Sequence, residues 1–336
     1  LAALGFRLPK AELQRAFEDG EVEYLEGQWM PIIRGGAEDW SGTDSDQTTG
    51  RPRGQLNPQL AAQFAQHVRA FTAFGPPGAG KGTLLDAFIE QLNAHLPPEQ
   101  RYVKLETGAY FRAIAGIVKK QRAGGALSPS DEPYLSLVNL IPLADLEIMQ
   151  QGGLMSDATA FAIVNAILEQ PAYRQAGGII LDGFPRTVPQ LQALQDGSIH
   201  FNGHTLALGL TLILDVPDEV LLERVAQRWD AAGAEARADD APEVARKRLA
   251  AYHAETEPMI AVLRGRPDVI ELDGHVEGLS PEESIVEVRE RFLQTLQTFL
   301  DQPVDELSST LEARAWQQPL AAVFGWLPLA GVPLEG

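Results

Sequence analysis

Residues 75–83 read GPPGAGKGT. A glycine-rich loop that cradles phosphate normally carries Ser or Thr directly after its lysine, where the hydroxyl meets Mg²⁺. Here Gly82 follows Lys81, and Thr83 comes one position late. The rest of the stretch has the required chemistry. Gly75, Gly78, Gly80 and Gly82 let the backbone turn tightly around Ala79 and aim several N–H groups at one anion, and the positive end of a following helix adds to them. Lys81 supplies a mobile charge for terminal phosphates. The surroundings agree: HVRAFTAF (67–74) ends in an apolar, strand-like run, and LLDAFIEQLNAHL (84–96) places apolar residues at helical spacing. Strand, glycine loop and helix in that order predict a nucleoside triphosphate site.

The same alternation continues along the chain. Strand-like runs occur in GGIILDGFPRT (177–187), TLALGLTLILDVPD (205–218) and DVIELDG (268–274), each leading toward a helix-like segment. The last of these helices starts near Ser280-Pro281-Glu282-Glu283, whose cap, proline and acids suit a helix N-terminus. Strands alternating with helices predict an α/β fold with a doubly wound parallel sheet and ligands at the carboxyl ends of its strands. Residues 1–66 read as an accessory N-terminal segment and linker. They contain a short helix over AELQRAFED (11–19), a hairpin turning at Glu26-Gly27, and a Gly-, Asp- and Pro-rich stretch over 35–58.

Composition narrows the function. With 27 Lys plus Arg against 46 Asp plus Glu, the formal charge is -19, which argues against a nucleic-acid or anionic-membrane binder, so any anion site is a local cluster. There is no cysteine, which removes disulfides, thiolate zinc sites and cysteine nucleophiles. No run reaches the roughly 18 apolar residues of a membrane span, and no basic start leads into a long apolar segment. The expectation is a cytoplasmic protein without a membrane span. The uncharged stretch from Pro319 to Leu334 holds three prolines and two glycines, so it cannot form a straight helix through a bilayer.

Six motifs stand in an order that resembles the adenylate kinases, a family of P-loop nucleoside monophosphate kinases. They are GPPGAGKGT, LETGAYFRAI (105–114), GGLMSDATAFAIV (152–164), LDGFPRTVPQ (181–190), LDVPDEVLLERVAQR (214–228) and RADDAPEVARKRL (237–249). The Gly-Lys-Gly-Thr variant of the loop is that family's own. The resemblance implies a kinase core over 67–300, with a mobile helical acceptor-binding flap at about 107–170 and a lid at about 229–240. Residues 301–336 are left as a C-terminal extension. Only eight residues, WDAAGAEA, separate Arg228 from Arg237, so the lid is the short form and, lacking cysteine, carries no zinc.

The resemblance also implies roles. Residues Gly75, Gly78, Ala79, Gly80, Lys81, Gly82 and Thr83 would bind ATP, with Arg224 and Val276 near its base. Lys81, Arg186, Arg228, Arg237 and Arg248 would be catalytic, gripping the transferring phosphates. AMP would meet Thr107, Arg112, Gly183, Arg186, Gln190 and the backbone at Met155. Mg²⁺ would be held by phosphate oxygens and water, with Asp182 reaching it through water. On residues alone several of these have plainer readings. Arg224 and Arg228, four apart, also describe a solvated helix face. Asp182 also suits a strand-end turn, Gln190 a helix surface, and Asp239 or Asp240 a helix cap.

Two departures widen the acceptor question. Ala109 stands where the family usually has Asp, and SPSDEPYLSLVNLIP (128–142) enlarges the flap. The leading expectation is an ATP:AMP phosphotransferase. UMP, CMP or a deoxynucleotide as acceptor stays open, as does a nucleotide-sensing module with little turnover. Either terminal extension could take a protein partner, and the short lid implies a monomer.

Overall fold

A computed structural model describes residues 22–25, 28–31, 53–206, 208–233 and 240–302. The expected helix at 11–19, most of the linker, Arg237, Asp239 and the Pro319–Leu334 stretch lie outside the described residues. The chain divides into two compact units, 1–53 and 54–336. In the first, β1 (Val22–Leu25) and β2 (Gln28–Pro31) pair antiparallel with Leu25 opposite Gln28, the strand pairing that the alternation predicts; Glu26 and Gly27 lie outside the described residues.

The second unit is built on a five-stranded sheet. β3 (Ala70–Phe74), β4 (Tyr102–Glu106), β5 (Gly178–Asp182), β8 (Leu210–Asp215) and β9 (Val269–Asp273) lie in the order β4-β5-β3-β8-β9, every pairing parallel. β6 (His200–Phe201) and β7 (His204–Thr205) form a small separate hairpin. All five residues of β3 are buried, as a strand covered on both faces requires. Its side chains alternate: Phe71 and Ala73 enter one hydrophobic cluster, Ala70 and Phe74 the other. The chain winds from β3 toward β4 on one side and toward β9 on the other, so the glycine loop after β3 opens at the point where the order reverses. That is where ligands bind in such sheets.

On one face, Phe71, Phe88 and Phe292 pack within 5.8 Å of one another, and Phe64 lies 5.1 Å from Phe88. Each fully buried phenylalanine contributes about 1.5–3 kcal/mol of burial free energy. Phe64 belongs to a helix, Pro58–His67, that the sequence reading places in the accessory segment. Asn57 caps this helix by accepting from the Leu60 N–H at 2.7 Å, and Leu60, Ala61 and Phe64 bury themselves in the core. The hydrophobic core of the second unit therefore takes in this helix and reaches back to Leu56. Three apolar residues after a turn-rich stretch are a weak signal; packing of Phe64 against Phe71 and Phe88 makes them core.

β4 is a further difference, because YVKLE carries Lys104 and Glu106 on one face and sits at the sheet edge, so its pattern is not apolar enough to stand out. The last helix, Pro281–Leu300, starts as read: Ser280 and Glu283 form a reciprocal capping box. The inserted stretch in the flap is folded. It forms a 3₁₀ turn (Pro129–Tyr134) and a helical turn (Leu135–Val138), buries Leu137 and Ile141, and is pinned by Lys120 donating to Asp131 at 2.8 Å. Among the described residues no helix is long and apolar enough to cross a membrane.

Candidate active site

The glycine loop leaves β3 and ends at Gly80, the left-handed residue (φ 90°) before the helix Lys81–His95. Two glycines show what the loop requires. A Cβ at Gly75 would sit 2.8 Å from the Leu214 carbonyl, so the backbone itself fills that space. A Cβ at Gly82 would meet nothing within 4 Å, although a glycine inside a helix costs roughly 0.5–1 kcal/mol. Gly82 therefore leaves open room against the start of the helix, whose first N–H groups lack intrahelical partners. Lys81 folds back over the loop and donates to the carbonyls of Gly75 at 2.6 Å and Pro76 at 3.0 Å.

Beside the loop lies a cleft of about 1020 Å³ whose walls include Lys81, Arg112, Arg186 and Arg248. They come from four separate segments: the loop helix, the helix Thr107–Arg122, the turn after β5, and the helix Pro242–Ala251. Burial pulls Lys81 down to about 8, with Arg186 and Arg248 adding to the effect against Asp182. Burial likewise brings Arg186 down to about 10, with Arg248 adding to it. Asp182 ends β5 and is raised by burial in spite of Lys81 and Lys104. Dehydrated cations that repel one another make a site that gains most from a multiply charged anion.

Several residues expected to meet the acceptor line one wall of this cleft, and Thr107, Gly183, Arg186 and Gln190 are linked there by hydrogen bonds. Thr107 donates to the Gly183 carbonyl at 2.9 Å, and Arg186 Nε donates to the same carbonyl at 2.7 Å. Gly183 has φ 86°, and a Cβ there would lie 2.7 Å from both Arg186 Nη2 and Thr107 Oγ1. Met155 and Gln190 complete the wall. Gln190 is only 4% exposed, and both ends of its amide are engaged. Its Oε1 accepts from the Arg186 N–H and its Nε2 donates to Asp157, each at 2.8 Å. An adenine edge would have to compete with those bonds. The surface reading of Gln190 is excluded by its burial.

Other expected residues lie outside that wall. Arg224 donates from Nη2 to the Gly274 carbonyl at 3.0 Å, close to His275 and Val276, and is lowered by burial. Arg228 makes a two-pronged contact with Asp240, both bonds at 2.7 Å, and Arg248 Nη1 is 3.6 Å from the same carboxylate. Asp240, 1% exposed, thus joins Arg228 to an arginine of the cleft. It is not a helix cap, because the following helix has Ala241 at that position and no side-chain bond there. The helix bearing Arg224 and Arg228 runs to Ala232, so it takes up the first four residues assigned to the lid.

Four contributors escaped sequence reading. Phe111 lines the cleft one position before Arg112. Tyr252 and Thr256 also line it, from a single π-helical turn (Tyr252–Thr256) that ordinary helical spacing does not reveal. Glu106, within the LETG motif itself, contacts Arg112 at 2.8 Å. As for metal, no cluster of three or more His, Asp or Glu side chains among the described residues forms a protein cage. The donor set suits Mg²⁺ held mostly by phosphate oxygens and water, with Asp182 as an outer carboxylate.

Comparison with known proteins agrees with this geometry. The model of the adenylate kinase family matches residues 143–266. The chain is 35% identical over 203 residues to an adenylate kinase of Phenylobacterium zucineum, covering 60% of this chain and 87% of that protein. It is 35% identical over 213 residues to one of Hyphomonas neptunium, covering 62% and 93%. A third, from Agrobacterium fabrum, is 34% identical over 225 residues, covering 66% and 95%.

Proposed function

The chain belongs to the adenylate kinase family, and on that premise we propose that it transfers the γ-phosphoryl group of ATP to AMP, giving two ADP. An oxygen of the acceptor phosphate attacks the γ-phosphorus in line, and the bond to the β,γ-bridging oxygen breaks, leaving that oxygen on ADP. Little covalent help is needed; the chain must concentrate positive charge around the moving group and exclude water. Lys81 serves this on the donor side, with the loop N–H groups from Gly75 to Thr83 holding the donor phosphates, and the room beside Gly82 admits them. Arg112 and Arg186 receive the acceptor phosphate. Arg248 faces both, and Arg228 reaches the same charge through its link to Asp240; Arg237 would join them from the lid. Asp182 would hold Mg²⁺ through water, and the ion would supply further positive charge to the phosphates of ATP.

The observation that carries this reading is the convergence of Lys81, Arg112, Arg186 and Arg248 on one cleft. A nucleotide sensor has no use for four cations placed around a transferring group. The engaged amide of Gln190 and the alanine at 109 favour, as the second reading, another nucleoside monophosphate as acceptor. A panel of AMP, UMP, CMP and deoxynucleotides with ATP decides between them: AMP is expected to lead, and a rank well below the others rejects it. An Arg186→Ala variant separates enzyme from sensor, since turnover should fall by orders of magnitude. Unchanged turnover would remove Arg186 from catalysis.

A further inference from the structure

Glu106 belongs to none of the roles assigned above, yet it sits at the junction of the two substrate sides. It is the last residue of β4, the position from which the helix Thr107–Arg122 departs, and its Cα pairs with Asp182 across the sheet. Because side chains alternate along a strand, Lys104 lies on the same face two residues earlier. Glu106 Oε2 is 3.2 Å from Lys104 Nζ, and Glu106 Oε1 accepts from Arg112 Nη2 at 2.8 Å. Lys104 also donates to Asp86 on the helix that follows the phosphate loop. The result is a continuous chain of charges, Asp86, Lys104, Glu106 and Arg112, running from the donor helix to the acceptor helix.

The placement of Arg112 depends on this chain. Arg112 lines the cleft and Glu106 does not, so the carboxylate takes hold of the guanidinium from outside the cleft. A Cβ at Gly108 would come within 3.1 Å of Arg112 Nη1, so the guanidinium lies over the first turn of its helix, in space that glycine leaves. A guanidinium has five donors in a rigid fork, enough to serve a carboxylate and a phosphate together. Burial works to raise the Glu106 carboxyl, but Lys104 and Arg112 outweigh it and hold it below its ordinary range. Arg112 therefore has an anionic partner at any pH at which phosphate is dianionic.

We propose that Glu106 is a positioning residue for the acceptor: it orients Arg112 toward the acceptor phosphate and, through Lys104 and Asp86, ties that arginine to the phosphate-loop helix. This rests on the reading that Arg112 receives the acceptor phosphate. The sequence signal was in plain sight, since the carboxylate immediately precedes the Thr-Gly pair, but its partner is six residues away and is chosen by the turn between strand and helix.

Steady-state kinetics of Glu106→Gln, which keeps shape and loses charge, tests it. The acceptor KM should rise about tenfold, the worth of one charge-assisted hydrogen bond, while kcat at saturating acceptor and the KM for ATP move less than about threefold. Lys104→Met should raise the acceptor KM in the same direction by a smaller factor. An unchanged acceptor KM in Glu106→Gln overturns the proposal, and a fall overturns it too, because the carboxylate would then be competing with the phosphate. A loss of kcat and melting temperature with no change in KM marks a purely structural ion pair and overturns it as well. Arg112→Ala measured alongside isolates the premise: if its acceptor KM stays at the wild-type value, the assignment of Arg112 fails, independently of Glu106.

Discussion

Replacing Gly183 with alanine tests the acceptor wall with one methyl group. The backbone there has φ 86°, and holding a residue with a Cβ in a left-handed conformation costs about 1–2 kcal/mol. The new Cβ also falls 2.7 Å from Arg186 Nη2 and from Thr107 Oγ1, closer than real Cβ contacts come. Thr107 is 1% exposed and anchored to the same turn, so Arg186 is the group that yields. Displacing it forfeits a charge-assisted contact to the acceptor phosphate of about 1.5–3 kcal/mol, or roughly 10- to 150-fold in kcat/KM for the acceptor. The conformational cost alone should lower the melting temperature by a few degrees. Gly265→Ala is the control: it has φ 77° with nothing within 4 Å of the added carbon, so it carries the strain without the clash. A coupled spectrophotometric assay and thermal unfolding of both variants suffice. If Gly183→Ala loses only the stability that Gly265→Ala loses and keeps its acceptor kcat/KM within about twofold, the seating of Arg186 at Gly183 plays no part in catalysis.

Two further outcomes follow from the charges around the cleft. Lys81 is lowered from 10.5 to about 8, so the free enzyme loses the loop ammonium as pH rises through that value. The kcat/KM for ATP should then decline on an alkaline limb near pH 8, while kcat, measured with the phosphates already in place to favour the cation, holds to higher pH; a free-enzyme profile flat to pH 9.5 would contradict it. Asp240→Asn keeps the shape of the carboxylate and removes its charge from between Arg228 and Arg248. Because Arg228 is 45% exposed, solvent screens part of the effect, and about 1–2 kcal/mol of unfolding free energy in urea is the expected loss. A fall in kcat should accompany it, and full activity would show that neither arginine needs this anchor.

Much of this site is legible in the letters because its chemistry is local. The turn GPPGAGKGT must follow a strand and open a helix, whatever surrounds it, since glycine backbone and a helix start make the anion site by themselves. The arginines of LETGAYFRAI and LDGFPRTVPQ stand at short, fixed distances from strand ends, and a parallel sheet brings the ends of its strands to one side. The resemblance of these two motifs to the family's own assigned Arg112 and Arg186 to the acceptor phosphate, and the parallel sheet is what brings both to the cleft of Lys81. Arg224 and Arg228 were harder. Their spacing puts them on one helix face, but one reaches the carbonyl after β9 and the other the carboxylate of Asp240 at the far end of the lid, and nothing in the spacing chooses between those partners.

Where partners lie far apart in the chain, only packing decides. The helix Pro58–His67 is core because Phe64 meets Phe71 and Phe88, not because its own pattern is strong. Gln190 is a committed amide rather than a free reader because Asp157, 33 residues away, comes to meet it. The sequence by itself determined the phosphate loop and the parallel α/β class, since backbone turns and strand period act over a few residues, and the order of its motifs, by resemblance, pointed to the cations. Which carboxylate holds which cation was decided only by the tertiary structure, because an ion pair depends on distance in space, and distance along the chain does not set it.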